Sequence, residues 1–257
     1  MFEKFLEYVK NVKSPNTYEA YKNALAPFET GDYDEVMRFI AGNRTARDKK
    51  YKLSVLNTAL KWNGTADSRI SRAIRDLTVN KEIEPCPTDS EVERIWKNLD
   101  TPRNRLLFAL MAYNGLRIGE VYNLAMSDVL PGNRLLLRGT KGKRDAVIPI
   151  VHPRVKENLT KYLQERDSEY PALFIGRRGR LSLITMKIMV MTWCRDNGLP
   201  YHAHSFRRYF ANSLDRAGCT LQEICVAMRH KSPTTTLNYL NLDGGRVEEA
   251  LRKAVKV

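Results

Sequence analysis

Pro85 and Pro87, in the stretch EIEPCPTDSE, divide a chain whose two parts follow different rules. Neither proline offers a backbone N–H, and each bars the residue before it from helical geometry, so no helix runs through this point. Upstream, apolar residues recur only at helical spacing. Phe2, Phe5, Leu6 and Val9 form one stripe, and Ser14 followed by Pro15 starts a second helix carrying Tyr18, Tyr21 and Leu25. Segments over about 34–41, 45–62 and 67–77 continue the style, each broken by Gly or Asn. Downstream, Thr88 to Ser90 gives a fresh N-cap signal ahead of Val92 and Ile95, and helices follow through Leu107 and, after Asn114-Gly115, around Arg117 and Glu120. Two short apolar runs, 135–137 and 147–150, joined by a Gly- and Lys-bearing turn, predict one antiparallel hairpin. Helices resume near Pro153 and Thr185, with Arg177 to Arg180 in a loop between them. The expectation is a mainly α fold with a small antiparallel β-sheet. A helical domain spans 1–85 and a second domain 86–257, ending in a tail helix over 246–257 with Val247, Leu251 and Ala254 on one face.

Charge narrows the partners. The 257 residues suit one or two domains, and 43% apolar with 28% charged residues is ordinary for a globular chain. A net charge of +14 is not ordinary. Up to position 85 there are 15 basic against 12 acidic residues, and beyond it 28 against 17, so the second domain carries most of the excess. Such a surface suits a polyanion, because each Lys or Arg set against a phosphate releases condensed counterions. An anionic membrane is the other candidate, but no apolar run approaches 18 residues and neither a signal-like start nor a lipidation motif is present. A cytoplasmic, nucleoid-associated protein without membrane contact is expected. Cys86, Cys194, Cys219 and Cys225 lie far apart, with no CxxC or Cys/His pair at metal-ligand spacing, so neither structural zinc nor a disulfide framework is expected.

Chemistry concentrates in the last third. In HSFRRYFANSL, Phe206, Tyr209, Phe210, Ser213 and Leu214 make one apolar face while His204 and Arg207, at i and i+3, share its neighbour. An imidazole beside a guanidinium can donate several hydrogen bonds to one anion, the guanidinium in a planar fork matched to phosphate oxygens. Alone, the pair reads as a solvated basic face. In TLQEICVAMRH, Thr220 and Glu223 form a capping box, which puts His230 at or past the helix end, where a histidine ordinarily serves as a C-terminal cation. Ser232 and Pro233 then start a short helix carrying Tyr239 and stopping at Gly244-Gly245.

Taken in order, GLRIGEV, the Lys-bearing hairpin, HSFRR and RHKSPTTTLNY resemble the tyrosine recombinase, or lambda-integrase-like, family, of which Xer-type enzymes are close relatives. The resemblance runs from about Pro87 to Leu240, and the spacings of 24 from Arg117 to Lys141 and of 9 from His230 to Tyr239 fit the family pattern. It implies a catalytic set of Arg117, Lys141, His204, Arg207, His230 and Tyr239, with Glu120 as the acidic residue behind the arginines. It implies a core-binding role for the first domain and site-specific cleavage and rejoining of DNA through a covalent 3′-phosphotyrosine, with no metal, ATP or other cofactor. Double-stranded DNA and a homotetramer assembled on it through the tail are the implied partners. Lys143 is the rival of Lys141 as general acid. Arg44, Arg47, Lys49, Lys50, Lys52, Arg69, Arg72, Arg177, Arg178 and Arg180 are expected, with Lys143, to meet DNA. Two departures stand out: Arg208 occupies a position where many relatives have histidine, and Arg229 one where a glycine usually precedes the later histidine. Two other readings share much of this pattern: a non-cleaving DNA-binding protein of the same fold, and a type IB topoisomerase that relaxes supercoils without exchanging partners. A metal nuclease is a third, but the region lacks paired carboxylates.

Overall fold

The computed structural model describes residues 1–79, 85–139, 145–230, 232–237 and 240. It is mainly helical with a small antiparallel sheet, as the sequence predicts, and the chain divides into two compact units, 1–83 and 84–257. No described helix is long and apolar enough to cross a membrane.

In the first unit, helices α1 (Glu3–Val12), α2 (Pro15–Leu25), α3 (Tyr33–Ala41), α4 (Ala46–Trp62) and α5 (Ser68–Asp76) enclose one core of Phe5, Val9, Leu25, Val36, Leu53, Leu56 and Ile70. Four of the five begin at a side-chain cap. Ser14, Asp32, Thr45 and Asp67 each accept a hydrogen bond from a backbone N–H two or three residues on, satisfying a donor the helix itself cannot.

The second unit is built around a helix apolar on every side. Helix α6 (Asp89–Lys97) starts at a full capping box between Thr88 and Glu91, and α7 (Pro102–Ala112) follows with every residue from Leu106 to Ala112 buried. Such a helix must be central, since each exposed Leu would forgo about 1.5–3 kcal/mol of burial. It packs against α9 (Pro153–Glu165) and α11 (Ala203–Arg216). Helix α8 (Ile118–Asn123) leads to the sheet, whose strands β1 (Val129–Leu130), β2 (Arg134–Leu137) and β3 (Ala146–Pro149) lie in that order, antiparallel, with Leu135 opposite Ile148. The expected hairpin is therefore β2–β3, and β1 is an added edge too short to show in the sequence. At the base of its turn, Gly139 N donates to Asp145 Oδ1 at 2.7 Å. The turn residues 140–144, which include Lys141 and Lys143, lie outside the described residues.

The stretch expected as a basic loop is a second, minimal hairpin. Strands β4 (Ile175–Gly176) and β5 (Gly179–Arg180) pair antiparallel, because Gly179 takes φ +108° at the turn. Arg177 and Arg178 sit exposed at its tip, whereas Arg180 donates to the Tyr122 carbonyl and lies 5.1 Å from the Tyr122 ring. Helices α10 (Leu183–Asp196), α12 (Leu221–Ala227) and α13 (Pro233–Leu237) are the remaining described helices of the unit. Tyr239 and the tail 246–257 lie outside the described residues.

Candidate active site

Three stretches of chain bring the singled-out side chains together, and the first is fixed by a glycine. Gly115, just past α7, has φ +62°, and a Cβ there would fall 2.2 Å from Phe210 Cδ1 on α11. The chain can therefore pass α11 at van der Waals range and deliver Arg117 beside it. Arg117 is the N-cap of α8 rather than a residue within it, and Glu120 stands at N3. The carboxylate turns back on its own helix start: Oε2 accepts from Arg117 N at 2.8 Å and Oε1 from Arg117 Nη1 at 2.8 Å.

The second group comes from the first turn of α11. His202 caps this helix, Nδ1 accepting from His204 N at 3.2 Å, and His204 is exposed. Arg207, one turn on, is fully buried. It is thus not part of a solvated basic face, the reading its spacing allows in isolation. Its guanidinium donates to the carbonyls of Gly115 and Met228, with Nη2 3.2 Å from His230 Nε2 and Nη1 3.9 Å from Glu120 Oε2.

The third group follows α12, which opens on the expected capping box, Glu223 N donating to Thr220 Oγ1 at 3.2 Å. It closes on a left-handed turn: Arg229 N donates to Val226 O at 2.9 Å and His230 N to Cys225 O at 3.0 Å, with Arg229 at φ +53°. His230 therefore lies beyond the helix, where its ring reaches Arg207 on one side and Thr236 Oγ1, 2.9 Å from Nδ1, on the other. Thr236 is completely buried, and the sequence gives it no signal beyond a run of three threonines. Burial, then the nearby charges of Arg207, Arg117, Arg229 and His204, push the His230 imidazole down to about 4. The carboxyl of Glu120 is pushed up by burial, but the Arg229 charge and the hydrogen bonds of Arg117 outweigh this and hold it below its ordinary value.

Of the residues singled out by the sequence, Arg117, Glu120, Arg207 and His230 form one cluster, with His204 close enough to act on His230 electrostatically. Arg229, noted only as a departure, joins it through Glu120 Oε2 at 2.9 Å. Lys141, Lys143 and Tyr239 lie outside the described residues. Among the described residues, no three His, Cys, Asp or Glu side chains lie close enough to hold a metal ion.

The basic residues of the first unit already have local partners in several places. Lys52 and Arg44 lie 3.3 and 4.0 Å from Asp48, Lys50 Nζ donates to the Leu77 carbonyl at 2.9 Å, and Arg69 pairs with Asp67 at 2.7 Å while lying over the Tyr33 ring. Arg47 and Arg72 are exposed.

Residues 87–246 match the phage integrase family. The chain belongs to this family, that of the tyrosine recombinases. By family it is therefore a site-specific recombinase of the tyrosine type. It is 28% identical to the tyrosine recombinase XerA of Pyrococcus horikoshii, over 99% of this chain and 93% of that protein, and 28% identical to the tyrosine recombinase XerC of Chromohalobacter salexigens, over 98% and 94%. Among solved structures it resembles a lambda integrase dimer bound to a core site, with a TM-score of 0.75, 19% identity and 94% of each chain covered. It also resembles the Tn1549 transposon integrase with a circular intermediate DNA, with a TM-score of 0.77 and 16% identity over 99% of this chain and 98% of that one.

Proposed function

We propose that this chain cuts and rejoins DNA at a specific site through a covalent 3′-phosphotyrosyl intermediate formed on Tyr239. The observation that carries this reading is the meeting of Arg117, Arg207 and His230 from three separate stretches of chain, the two arginines at the carboxylate of Glu120 and His230 against Arg207. A phosphodiester entering such a cluster finds donors already oriented.

In the step itself, the bond from Tyr239 Oη to phosphorus forms and the bond from phosphorus to the 5′ oxygen breaks. A phenol with an ordinary value near 10 is only about 0.1% ionised at neutral pH, so its proton must be removed as it attacks. His204, exposed at the mouth of α11, is the base. Arg117 and Arg207 stabilise charge on the non-bridging oxygens without reorganising, and Lys141 gives a proton to the departing oxygen, with Lys143 in the same turn as its rival. His230, held neutral between Arg207 and Thr236, orients rather than shuttles. A 5′ hydroxyl of another strand then displaces the tyrosine, so the phosphoester bond energy is conserved and no cofactor is consumed.

Double-stranded DNA is the substrate, and a homotetramer spanning two sites is the working assembly. The net charge of +14 supports the first, and the relatives solved as lambda integrase dimers on a core site and as a tetramer on a Holliday junction support both. The test is incubation with fragmented DNA from the source genome or mobile element, followed by sequencing of the strands left attached to protein. Wild type is expected to retain one sequence by its 3′ end and Tyr239→Phe none. Equal retention by the variant overturns the nucleophile, and supercoil relaxation of any plasmid without exchange between captured sites overturns the recombinase reading.

A further inference from the structure

Arg229 holds a backbone conformation that a side chain disfavours, and holds it with its guanidinium turned inward. At φ +53° it fills the position after α12 where glycine is the unstrained choice. Its side chain is only 16% exposed, and it spans back to residues 109 and 114 positions earlier: Nη2 lies 2.9 Å from Glu120 Oε2 and 3.2 Å from the Gly115 carbonyl, while Nη1 lies 3.1 Å from the Ala227 carbonyl. Those first two acceptors are the ones on which the other arginines rest. Gly115 O also accepts from Arg207, and Glu120 also holds Arg117.

The distances rank the competitors for one oxygen. Glu120 Oε2 is 2.9 Å from Arg229 and 3.9 Å from Arg207. That oxygen also accepts from Arg117 N at 2.8 Å, and in a half-buried site a carboxylate oxygen that loses a charged partner leans toward the next cation within reach. If Arg229 were absent, that cation would be Arg207, and a guanidinium intended for phosphate would be drawn onto a carboxylate.

We propose that Arg229 is a positioning residue for DNA cleavage: by occupying Glu120 Oε2 it keeps the carboxylate from Arg207 and leaves the Arg117–Arg207 pair arranged for a phosphate. This rests on the reading of the site as a DNA-cleaving centre. It acts through Glu120 and touches no reacting atom.

The test uses the full-length chain and a nicked duplex carrying the sequence recovered from wild-type adducts, with single-turnover cleavage and DNA affinity measured separately. Arg229→Gly suits the backbone better than the native residue, so a folding defect does not confound it, and a single cooperative melting transition checks this. Its cleavage is expected to slow about 10- to 100-fold with affinity little changed, as for displaced groups that orient a catalytic pair. Arg229→Lys should recover part of the rate. Glu120→Gln and the double variant Glu120→Gln with Arg229→Gly should cleave equally, since Arg229 then has no carboxylate to hold. Wild-type cleavage by Arg229→Gly, or a full additional loss in the double variant, overturns the inference while leaving the proposed function standing. A wild-type chain that forms no adduct overturns both.

Discussion

His230 must carry its proton on Nδ1, because a guanidinium can only donate. Arg207 Nη2 faces Nε2 at 3.2 Å, which makes that nitrogen the acceptor and leaves Nδ1–H to donate to Thr236 Oγ1 at 2.9 Å. Protonating the ring would put a donor hydrogen on Nε2 against the donor Nη2–H of Arg207, and burial adds to the penalty. The sign of the pH effect follows. The unfolded chain takes up this proton near the ordinary 6.5, the folded chain only at about 4, so stability is lost as pH falls between the two. Urea unfolding between about pH 7 and pH 5 should show a smaller acid loss for His230→Asn than for wild type. An unchanged loss would mean that the ring titrates freely in the fold. Placed by sequence at a helix end, this histidine looked like a cation; its neutral state depends on Arg207, 23 residues away, and no local pattern carries that distance.

At the scale of elements, the turn from α7 into α8 decides whether a site exists. The space for a side chain at Gly115 is taken by Phe210, 2.2 Å away, and the φ of +62° penalises any replacement. Gly115→Ala should therefore cost about 2–4 kcal/mol through overpacking and left-handed strain, read by urea denaturation. A loss below about 1 kcal/mol would show that Phe210 yields and that the turn is not the fixed point. Elements were legible wherever their signal was local. Ser14-Pro15 and the Thr220 and Glu223 pair each announced a helix start because the cap and its N–H partner lie within three residues. The cluster was legible only as an ordered set of motifs. Arg229 was visible as an anomaly but not as a partner of Glu120, since 109 residues separate them and only the packing of α8 on α7, α7 on α11 and α11 on α12 brings them into reach.

For the whole molecule, the helical spacing of apolar residues and the pattern from Pro87 onward pointed to the mainly helical fold and the family, because one depends on local periodicity and the other on an ordered series of reactive residues. Assembly is a property of several copies, and its expected agent is the tail. A chain truncated after Gly245 should bind DNA as smaller, less cooperative assemblies than the full chain, measured by light scattering on recovered-site duplexes. Identical stoichiometry and cooperativity would remove the tail from that role. The arginines gathered at Glu120 bear on the molecule in another way. Three guanidiniums gather at one carboxylate beside a neutral imidazole, so the native state holds like charges in proximity. On the proposed function, a phosphodiester brings further negative charge to that cluster. DNA would then be more than cargo: by thermodynamic linkage, a native state that binds it resists denaturation more strongly in its presence.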